Sequence, residues 1–265
     1  MLWLAIFFLV PMGFLGYQSL ESGLFPHFQF TWEWSNFSSA LSGYHTQLIR
    51  SFVYAGIATL ACLVLAYPLA YWIAFRAGPW RNLFLLFIVA PFFVTYLVRT
   101  LAWLNILADE GPVVRILRDI HVLGPDGRLL ATTFAVVAGI TYNFFPFMAL
   151  PLYVSLEQID ARLLEAAKDL YSSPTQAFRR VTLPLSMPGI VAGTLLTFIP
   201  AAGDFINAAL LGTPNQAMIG NVIQAKFLES LDYPTAASLS FILMGTILIA
   251  LLVYARIVGP EKLTG

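Results

Sequence analysis

The sequence predicts an all-α polytopic membrane protein with six transmembrane helices in a single domain, residues 1–265. Hydrophobic residues make up 59% of its 265 positions and charged residues only 11%. This mixture is too apolar for a soluble domain to cover its own surface. Six apolar runs are long enough to cross a hydrocarbon core of about 30 Å, and the segments between them alternate in charge.

The predicted spans lie near residues 1–20, 51–75, 83–104, 129–154, 188–211 and 236–258. The first run could instead be a secretory signal peptide, but it has no basic region before Leu2 and no clear small-residue cleavage site. Several prolines fall inside or near the ends of spans, where each removes a backbone donor and can kink the helix; they are Pro11, Pro91, Pro146, Pro151 and Pro200. Gly189 and Gly193 permit close approach of a neighbouring helix, which we expect to belong to the same chain.

The charges of the connecting segments predict the orientation of the chain. Segments 76–82, 155–187 and the tail after 258 are basic when taken together, with five acidic residues against the seven basic ones Arg76, Arg81, Arg162, Lys168, Arg179, Arg180 and Lys262. Segments 21–50, 105–128 and 212–235 hold Glu21, Glu33, Asp109, Glu110, Asp119, Asp126, Glu229 and Asp232, with some basic residues among them. Short basic segments face the cytoplasm, so both termini are predicted to be cytoplasmic.

Composition and motifs argue against other classes of function. The formal net charge is zero, which gives no indication of nucleic-acid binding. Cys62 is the single cysteine, and it lies in an apolar run, so neither an internal disulfide nor a cysteine-rich metal site is expected. HExxH and GxSxG motifs are missing from the sequence, and no catalytic residue is predicted. An ion-coupled secondary transporter would be expected to show a chain of membrane-embedded acids or an inverted repeat, and neither is visible.

The polar segment 155–187 contains the pattern of two short helices. Leu163, Ala166, Ala167 and Leu170 recur at helical spacing, with charged residues on the opposite face. Asp160 can cap the first helix, while Ser173 followed by Pro174 predicts the start of a second. Such a segment could be a simple solvated connection. However, its small-residue face beside charges suits docking against a partner protein.

This segment resembles the EAA loop of bacterial ABC importer permeases. It matches at Glu165, Ala166, Ala167, Leu183 and Pro184 with the spacing intact, and it departs at Tyr171, where the family usually has glycine. The resemblance extends from about Ser51 to the carboxyl end and is greatest to the spermidine/putrescine permease subgroup. It is carried by ATLACLVLAYPLAYWIA (58–74), LVRTLAW (97–103), FFPFMALPLYVSLEQID (144–160), FRRVTLPLSMPGIVAGTLLTFIPAAGDF (178–205) and MIGNVIQAKF (218–227).

The resemblance implies a MetI-like fold and a polyamine importer working by alternating access in the bacterial inner membrane. It implies three kinds of partner besides membrane lipid: a second permease subunit in a heterodimer, two copies of a cytoplasmic ATPase and an extracytoplasmic solute-binding protein. The sequence has no GxxxxGK[ST] phosphate loop, so ATP and Mg are expected to be used by the ATPase, with no cofactor on this chain. The ATPase interface is expected to comprise Glu165, Ala166, Ala167, Tyr171, Phe178 and Arg180. An importer for another small organic or ionic solute is the alternative.

Two charged residues, Arg99 and Asp204, fall inside predicted spans. A charge at the bilayer centre costs roughly 2.5 to 3.5 kcal/mol on insertion scales, so each requires a partner or a wet cavity. Asp204 is predicted to face the substrate pathway and attract an ammonium group. Around it, aromatic faces and a hydrogen-bonding amide are predicted from Trp103, Tyr142, Tyr96 and Asn143. The alternative is that Asp204 pairs with Arg99 or lies near the external surface.

Overall fold

The computed structural model describes residue 3 and residues 5–169 and 173–258, which are helical apart from one small hairpin and the connecting turns. The helices are α1 (Val10–Ser19), α2 (Ser35–Phe75), α3 (Arg81–Val89), α4 (Tyr96–Leu107), α5 (Pro112–Asp119), α6 (Thr133–Glu157), α7 (Ala161–Asp169), α8 (Pro174–Ala177), α9 (Leu183–Leu185), α10 (Met187–Ala202), α11 (Ile206–Leu211), α12 (Ile219–Leu228) and α13 (Tyr233–Val258). Strands β1 (Glu21–Leu24) and β2 (His27–Phe30) pair antiparallel, with Glu21 opposite Phe30.

Shorter helical turns complete the structure. Ala5–Leu9 and Phe178–Thr182 are π-helical, and Gly78–Trp80, Ala90–Phe93 and Pro214–Gln216 are 3₁₀ turns. Because the Phe178–Thr182 turn continues α8 directly into α9, residues 174–185 form one helical stretch with a wider central turn.

In the described part of the chain, three helices are long and apolar enough to cross a membrane: α2, α6 and α13. Two pairs of shorter helices, each bent at a short break, bring the number of candidate spans to five if each pair counts as one span. The apolar helix Ile6–Ser19 is shorter. Helical segment Gly78–Phe93 meets Tyr96–Asp119 at 98°, and Pro174–Leu185 meets Met187–Ala202 at 61°. The predicted third span is therefore broken rather than straight.

Helix α2 is longer than the predicted second span. It begins at Ser35, within the segment expected to be an external loop, and its 41 residues reach about 60 Å. Its amino-terminal part is stabilised by packing, since Ala40 lies in a buried cluster with Ile219 and Leu239. Tyr44 departs from helical geometry, with φ −126°, so the extension joins the rest of α2 through a local kink.

Both interrupted spans break where the local sequence opposes a continuous helix. In the third, Pro91 is followed by extended backbone at Val94 and Thr95. In the fifth, α10 ends at Ala202, Gly203 follows as its cap, and α11 begins at Ile206. The side chain of Asp204 there accepts a hydrogen bond from the backbone N–H of Asn207, an arrangement that starts a new helix instead of continuing the old one.

The centre of the fold is the packing of α6 against α2 and α10. A Cβ at Gly189 would lie 2.7 Å from the carbonyl oxygen of Pro151, and one at Gly193 would lie 3.1 Å from that of Met148. The expectation that these two glycines serve packing within the chain is therefore confirmed. Cys62 is fully buried between the same helices, and its thiol donates to the carbonyl oxygen of Thr141 at 3.3 Å.

Candidate functional site

Asp204 lies at the break between α10 and α11, and its side chain is buried, with 6% of its surface exposed. Its Oδ1 accepts from the backbone N–H of Asn207 at 2.9 Å, and its Oδ2 accepts from Asn207 Nδ2 at the same distance. The hydroxyl of Tyr96 also donates to Oδ2. Both carboxylate oxygens are thus satisfied by protein donors.

These contacts join the two helix breaks to each other. Tyr96 is the first residue of α4, immediately after the break in the third span, whereas Asp204 and Asn207 flank the break in the fifth. Asn143 of α6 donates to the Oδ1 of Asn207 and to the hydroxyl oxygen of Thr100, each at 3.2 Å. We call Tyr96, Thr100, Asn143, Asp204 and Asn207 the buried polar cluster.

The close approach of α11 to α6 depends on a glycine. A Cβ at Gly139 would lie 2.5 Å from Asn207 Oδ1 and 2.5 Å from a methyl carbon of Leu211, both far too close. Because Gly139 has no side chain, the amide of Asn207 can lie against α6 and accept from Asn143. Gly139 and Thr100 were not expected at the site. Thr100 lies one helical turn after Tyr96, and that spacing is the sequence signal that could have identified it.

The structure does not support pairing of Asp204 with Arg99. Ion pairs within the described residues do not include these two side chains. The guanidinium of Arg99 instead lies over the rings of Phe92 and Tyr96, 5.7 Å from each centroid. Its side chain is 8% exposed, and its Nε and Nη1 have no hydrogen-bond partner among the described residues. Donors from Tyr96 and Asn207 occupy the carboxylate instead, so the alternative of an Asp204–Arg99 ion pair is not found among the described residues.

Trp103 and Tyr142 lie apart from the buried polar cluster. Their ring centroids are 5.5 Å from each other, and both rings line an open groove of about 410 Å³ whose other walls come from α2 and α6. Tyr142 is 37% exposed, whereas the next residue, Asn143, is buried. The predicted pathway residues therefore divide into two places: Tyr96, Asn143 and Asp204 in the cluster, and the two aromatic residues at the groove.

The predicted partner-docking face on α7 is open where the structure describes it. Leu163 is 47% exposed, and Glu165 and Ala166 are exposed, whereas Leu164 packs against the chain's own core. Ala167 belongs to α7, but its side chain lies outside the described residues. Tyr171 also lies outside them.

The second loop helix begins as expected, and one of its residues has a different neighbour. Ser173 and Gln176 form a reciprocal capping box at the start of α8. Phe178, predicted to contact the ATPase, is half-buried and packs edge-on against Tyr67 of α2, with 5.6 Å between ring centroids. Phe178 therefore contacts its own chain through part of its surface, and its contact with the ATPase stays a prediction. Arg180 is exposed.

Broken spans around a buried carboxylate are typical of membrane transport proteins. Residues 66–258 match the family described as binding-protein-dependent transport system inner membrane component. The chain belongs to this family, and the resemblance inferred from its motifs is confirmed. It is thus a multi-pass, non-catalytic inner-membrane subunit of an ABC transport system.

The chain is similar to characterised relatives over most of its length. It is 38% identical over 256 residues to the spermidine/putrescine transport system permease protein PotB of Haemophilus influenzae, covering 95% of this chain and 88% of that protein. It is 41% identical to PotB of Escherichia coli over 80% of this chain and 78% of that protein. The inner membrane ABC transporter permease protein YdcU of Escherichia coli is 35% identical over 77% of this chain and 68% of that protein.

Solved structures support the fold. A bacterial ABC transporter involved in the import of the acidic polysaccharide alginate superposes with a TM-score of 0.77, covering 100% of this chain and 93% of that one at 17% identity. The MetNI methionine ABC transporter superposes with a TM-score of 0.60, covering 81% of this chain and 95% of that one, also at 17% identity. The expected MetI-like fold is confirmed.

Proposed function

We propose that this chain is the permease subunit of an ATP-driven importer that moves spermidine and putrescine into the cytoplasm by alternating access. The observation that carries the proposal is the 38% identity to a spermidine/putrescine permease over 95% of this chain. Identity of that extent includes both the membrane spans and the segment between α6 and α10, so it is not limited to one shared motif.

The proposed assembly contains a second, different permease subunit, two copies of a cytoplasmic ATPase and an extracytoplasmic solute-binding protein. The exposed Glu165 and Ala166 on α7 support an ATPase contact there, with Arg180 as a further polar contact. ATP and Mg are used by the ATPase, because the sequence of this chain has no phosphate loop. Segment 155–187 and both termini are proposed to face the cytoplasm, because segments 76–82, 155–187 and the tail after 258 together hold seven Lys and Arg residues against five in the opposite segments.

The proposed cycle uses the continuity of the chain from the loop to the buried polar cluster. Residues 173–202 run from the capping box of α8 through a 61° bend into α10, which ends next to Asp204. Closure of the ATPase dimer on ATP moves the docked loop and opens the pathway outward, and hydrolysis resets it inward. Movement along this stretch reaches the break at Asp204 and, through Tyr96, the break in the third span.

The buried polar cluster suggests how a cation is admitted. Both oxygens of Asp204 are held by Tyr96 and Asn207, so an incoming ammonium group has to displace a neutral donor. Replacing a neutral donor by a cation adds the attraction between two opposite charges, which is strong where water is excluded, so this exchange is favourable once the two breaks separate. Trp103 and Tyr142 are proposed to offer aromatic faces to the same cation at the groove.

The direct test is transport by the complete complex in proteoliposomes. We expect uptake of labelled spermidine that requires ATP and the binding protein, with no uptake when ATP is replaced by a non-hydrolysable analogue. Calorimetry of the cognate binding protein against spermidine, putrescine and other small solutes identifies the solute independently. Uptake that persists without ATP and collapses with a protonophore would contradict the proposal and indicate an ion-coupled carrier.

Arg99 favours a second candidate, an ABC importer for a different small organic or ionic solute. Its buried guanidinium lies beside Tyr96 and would repel a polycation that approached Asp204. The uptake assay and the calorimetry separate the two candidates. ATP-driven uptake of another solute, with no binding of polyamines to the solute-binding protein, would select the importer for a different solute.

A further inference from the structure

We propose that Tyr67 is a positioning residue that carries movement of the cytoplasmic loop into helix α2. The inference rests on the proposed function, in which the ATPase acts on segment 155–187. In this proposal, the hydroxyl of Tyr67 makes α2 move together with the loop. The chain itself already connects the loop to α10, whereas α2 is distant in sequence and requires contacts of its own.

The hydroxyl of Tyr67 is bonded at the point where the loop turns into the membrane. Ser186 lies between α9 and α10, at the 61° bend, and it is fully buried. Its Oγ lies 2.8 Å from the hydroxyl oxygen of Tyr67 and 3.0 Å from the carbonyl oxygen of Leu183. A carbonyl oxygen only accepts, so the single Ser186 hydroxyl proton goes to Leu183 and Tyr67 donates to Ser186. Each hydroxyl proton therefore has one defined acceptor.

An aromatic contact reinforces this hydrogen bond. Phe178 precedes Ser186 in the loop and packs edge-on against Tyr67, with 82° between the ring planes. It also contacts Tyr71, with 6.3 Å between ring centroids. Tyr67 and Tyr71 are four residues apart, so they lie on the same face of α2. Residues 178–186 thus contact α2 at both ends, through Phe178 and through Ser186. If this segment tilts, either α2 moves with it or the hydrogen bond between Tyr67 and Ser186 breaks.

The chain offers a matched control tyrosine. Tyr153 of α6 is buried, whereas Tyr67 is half-buried, and the hydroxyl of Tyr153 has no hydrogen-bond partner among the described residues. Replacing it with phenylalanine removes the same atom from a core tyrosine without removing a hydrogen bond. Tyr67→Phe keeps the ring that faces Phe178 and removes only the hydroxyl group that donates to Ser186.

The experiment measures the ratio of ATP hydrolysed to spermidine imported by the complete complex in proteoliposomes. Loss of one neutral hydrogen bond changes an equilibrium by about two- to tenfold. We therefore expect Tyr67→Phe to raise the ratio about fivefold with ATP hydrolysis retained, and Tyr153→Phe to leave it at the wild-type value. Ser186→Ala removes the acceptor and should reproduce Tyr67→Phe, which keeps the test available if one variant fails to assemble. A wild-type ratio in Tyr67→Phe, or equal increases in both tyrosine variants, would overturn the proposal.

A second measurement does not depend on the identity of the solute. Spin labels at Val64→Cys on α2 and Leu196→Cys on α10, in a Cys62→Ala background, report the distance between the two helices in the assembled complex. We expect ATP to leave this distance nearly unchanged in the wild type, because the helices move together, and to widen its distribution in Tyr67→Phe. Identical distributions in the two proteins would overturn the role of Tyr67. Absence of spermidine uptake by the wild type would count against the proposed substrate alone.

Discussion

Asp204 is a buried carboxylate held by hydrogen bonds rather than by a countercharge. Removing an ion from water costs several kcal/mol even after relaxation, and hydrogen bonds to a charged group contribute about 1.5 to 3 kcal/mol each. Donors from Tyr96 and from the backbone and side chain of Asn207 offset that cost. A site arranged in this way can release its carboxylate when Tyr96 moves, without separating a buried ion pair.

Asp204→Asn is expected to weaken ATP-driven spermidine uptake about tenfold while the complex still assembles. An asparagine has one acceptor oxygen, so its amide nitrogen would face a donor from Asn207 or Tyr96, a mismatch of about 1 to 3 kcal/mol. Initial uptake rates in proteoliposomes measure the effect. Asp126→Asn, at an exposed position in segment 105–128, is the control. Equal uptake by both variants would contradict a role for Asp204 in transport.

Gly139→Ala is expected to destabilise the protein by about 1 to 3 kcal/mol through overpacking. The new methyl would meet the amide of Asn207 at 2.5 Å. Gly56→Ala in α2 is the matched control, since a Cβ there meets nothing within 4 Å and helix propensity favours alanine by up to about 1 kcal/mol. Thermal unfolding in detergent should therefore shift in opposite directions for the two variants. A higher unfolding temperature for Gly139→Ala would show that α11 does not pack there as described.

At the scale of elements, the two breaks and the loop determine what can move. The two helix breaks follow from local features that the sequence shows, such as Pro91 and Gly203. The hydrogen bond between Tyr96 and Asp204, which joins the two breaks, cannot be read from local sequence. Their side chains are 108 residues apart in sequence. Periodicity correctly predicted two loop helices and the Ser173 cap. Periodicity did not show that Phe178 packs against α2. On a short helix, the spacing of apolar residues does not tell whether one of them packs against its own chain or against a partner protein.

Glu165→Ala is expected to weaken association with the ATPase about fivefold or more and leave the fold intact. Glu165 is exposed on α7 and makes no ion pair with another described residue, and interface residues that matter typically cost more than 1 kcal/mol on truncation. Copurification from mild detergent at graded ATPase concentrations measures the change. Glu110→Ala, an exposed acid outside the loop, is the control. Unchanged copurification of Glu165→Ala would remove α7 from the proposed interface.

At the scale of the whole molecule, orientation in the membrane can be tested with single cysteines. In a Cys62→Ala background, Gly124→Cys is expected to react with an impermeant maleimide added to intact spheroplasts, because segment 105–128 is predicted to be external. Thr175→Cys, in the loop, should react only after permeabilisation. Labelling in the reverse order would invert the proposed topology and place the ATPase contact elsewhere.

The sequence by itself determined the class of this protein, its helical fold and the position of its loop, because apolar run length, loop charge and a spaced motif are properties of neighbouring residues. It also identified Asp204, Tyr96 and Asn143 as candidates. Only the tertiary structure decided that these three form a cluster with Thr100 and Asn207, that Arg99 lies apart from Asp204, and that Trp103 and Tyr142 belong to a separate groove. Contacts of this kind depend on which helix faces approach one another across the bilayer, and that approach is set by packing at positions such as Gly139.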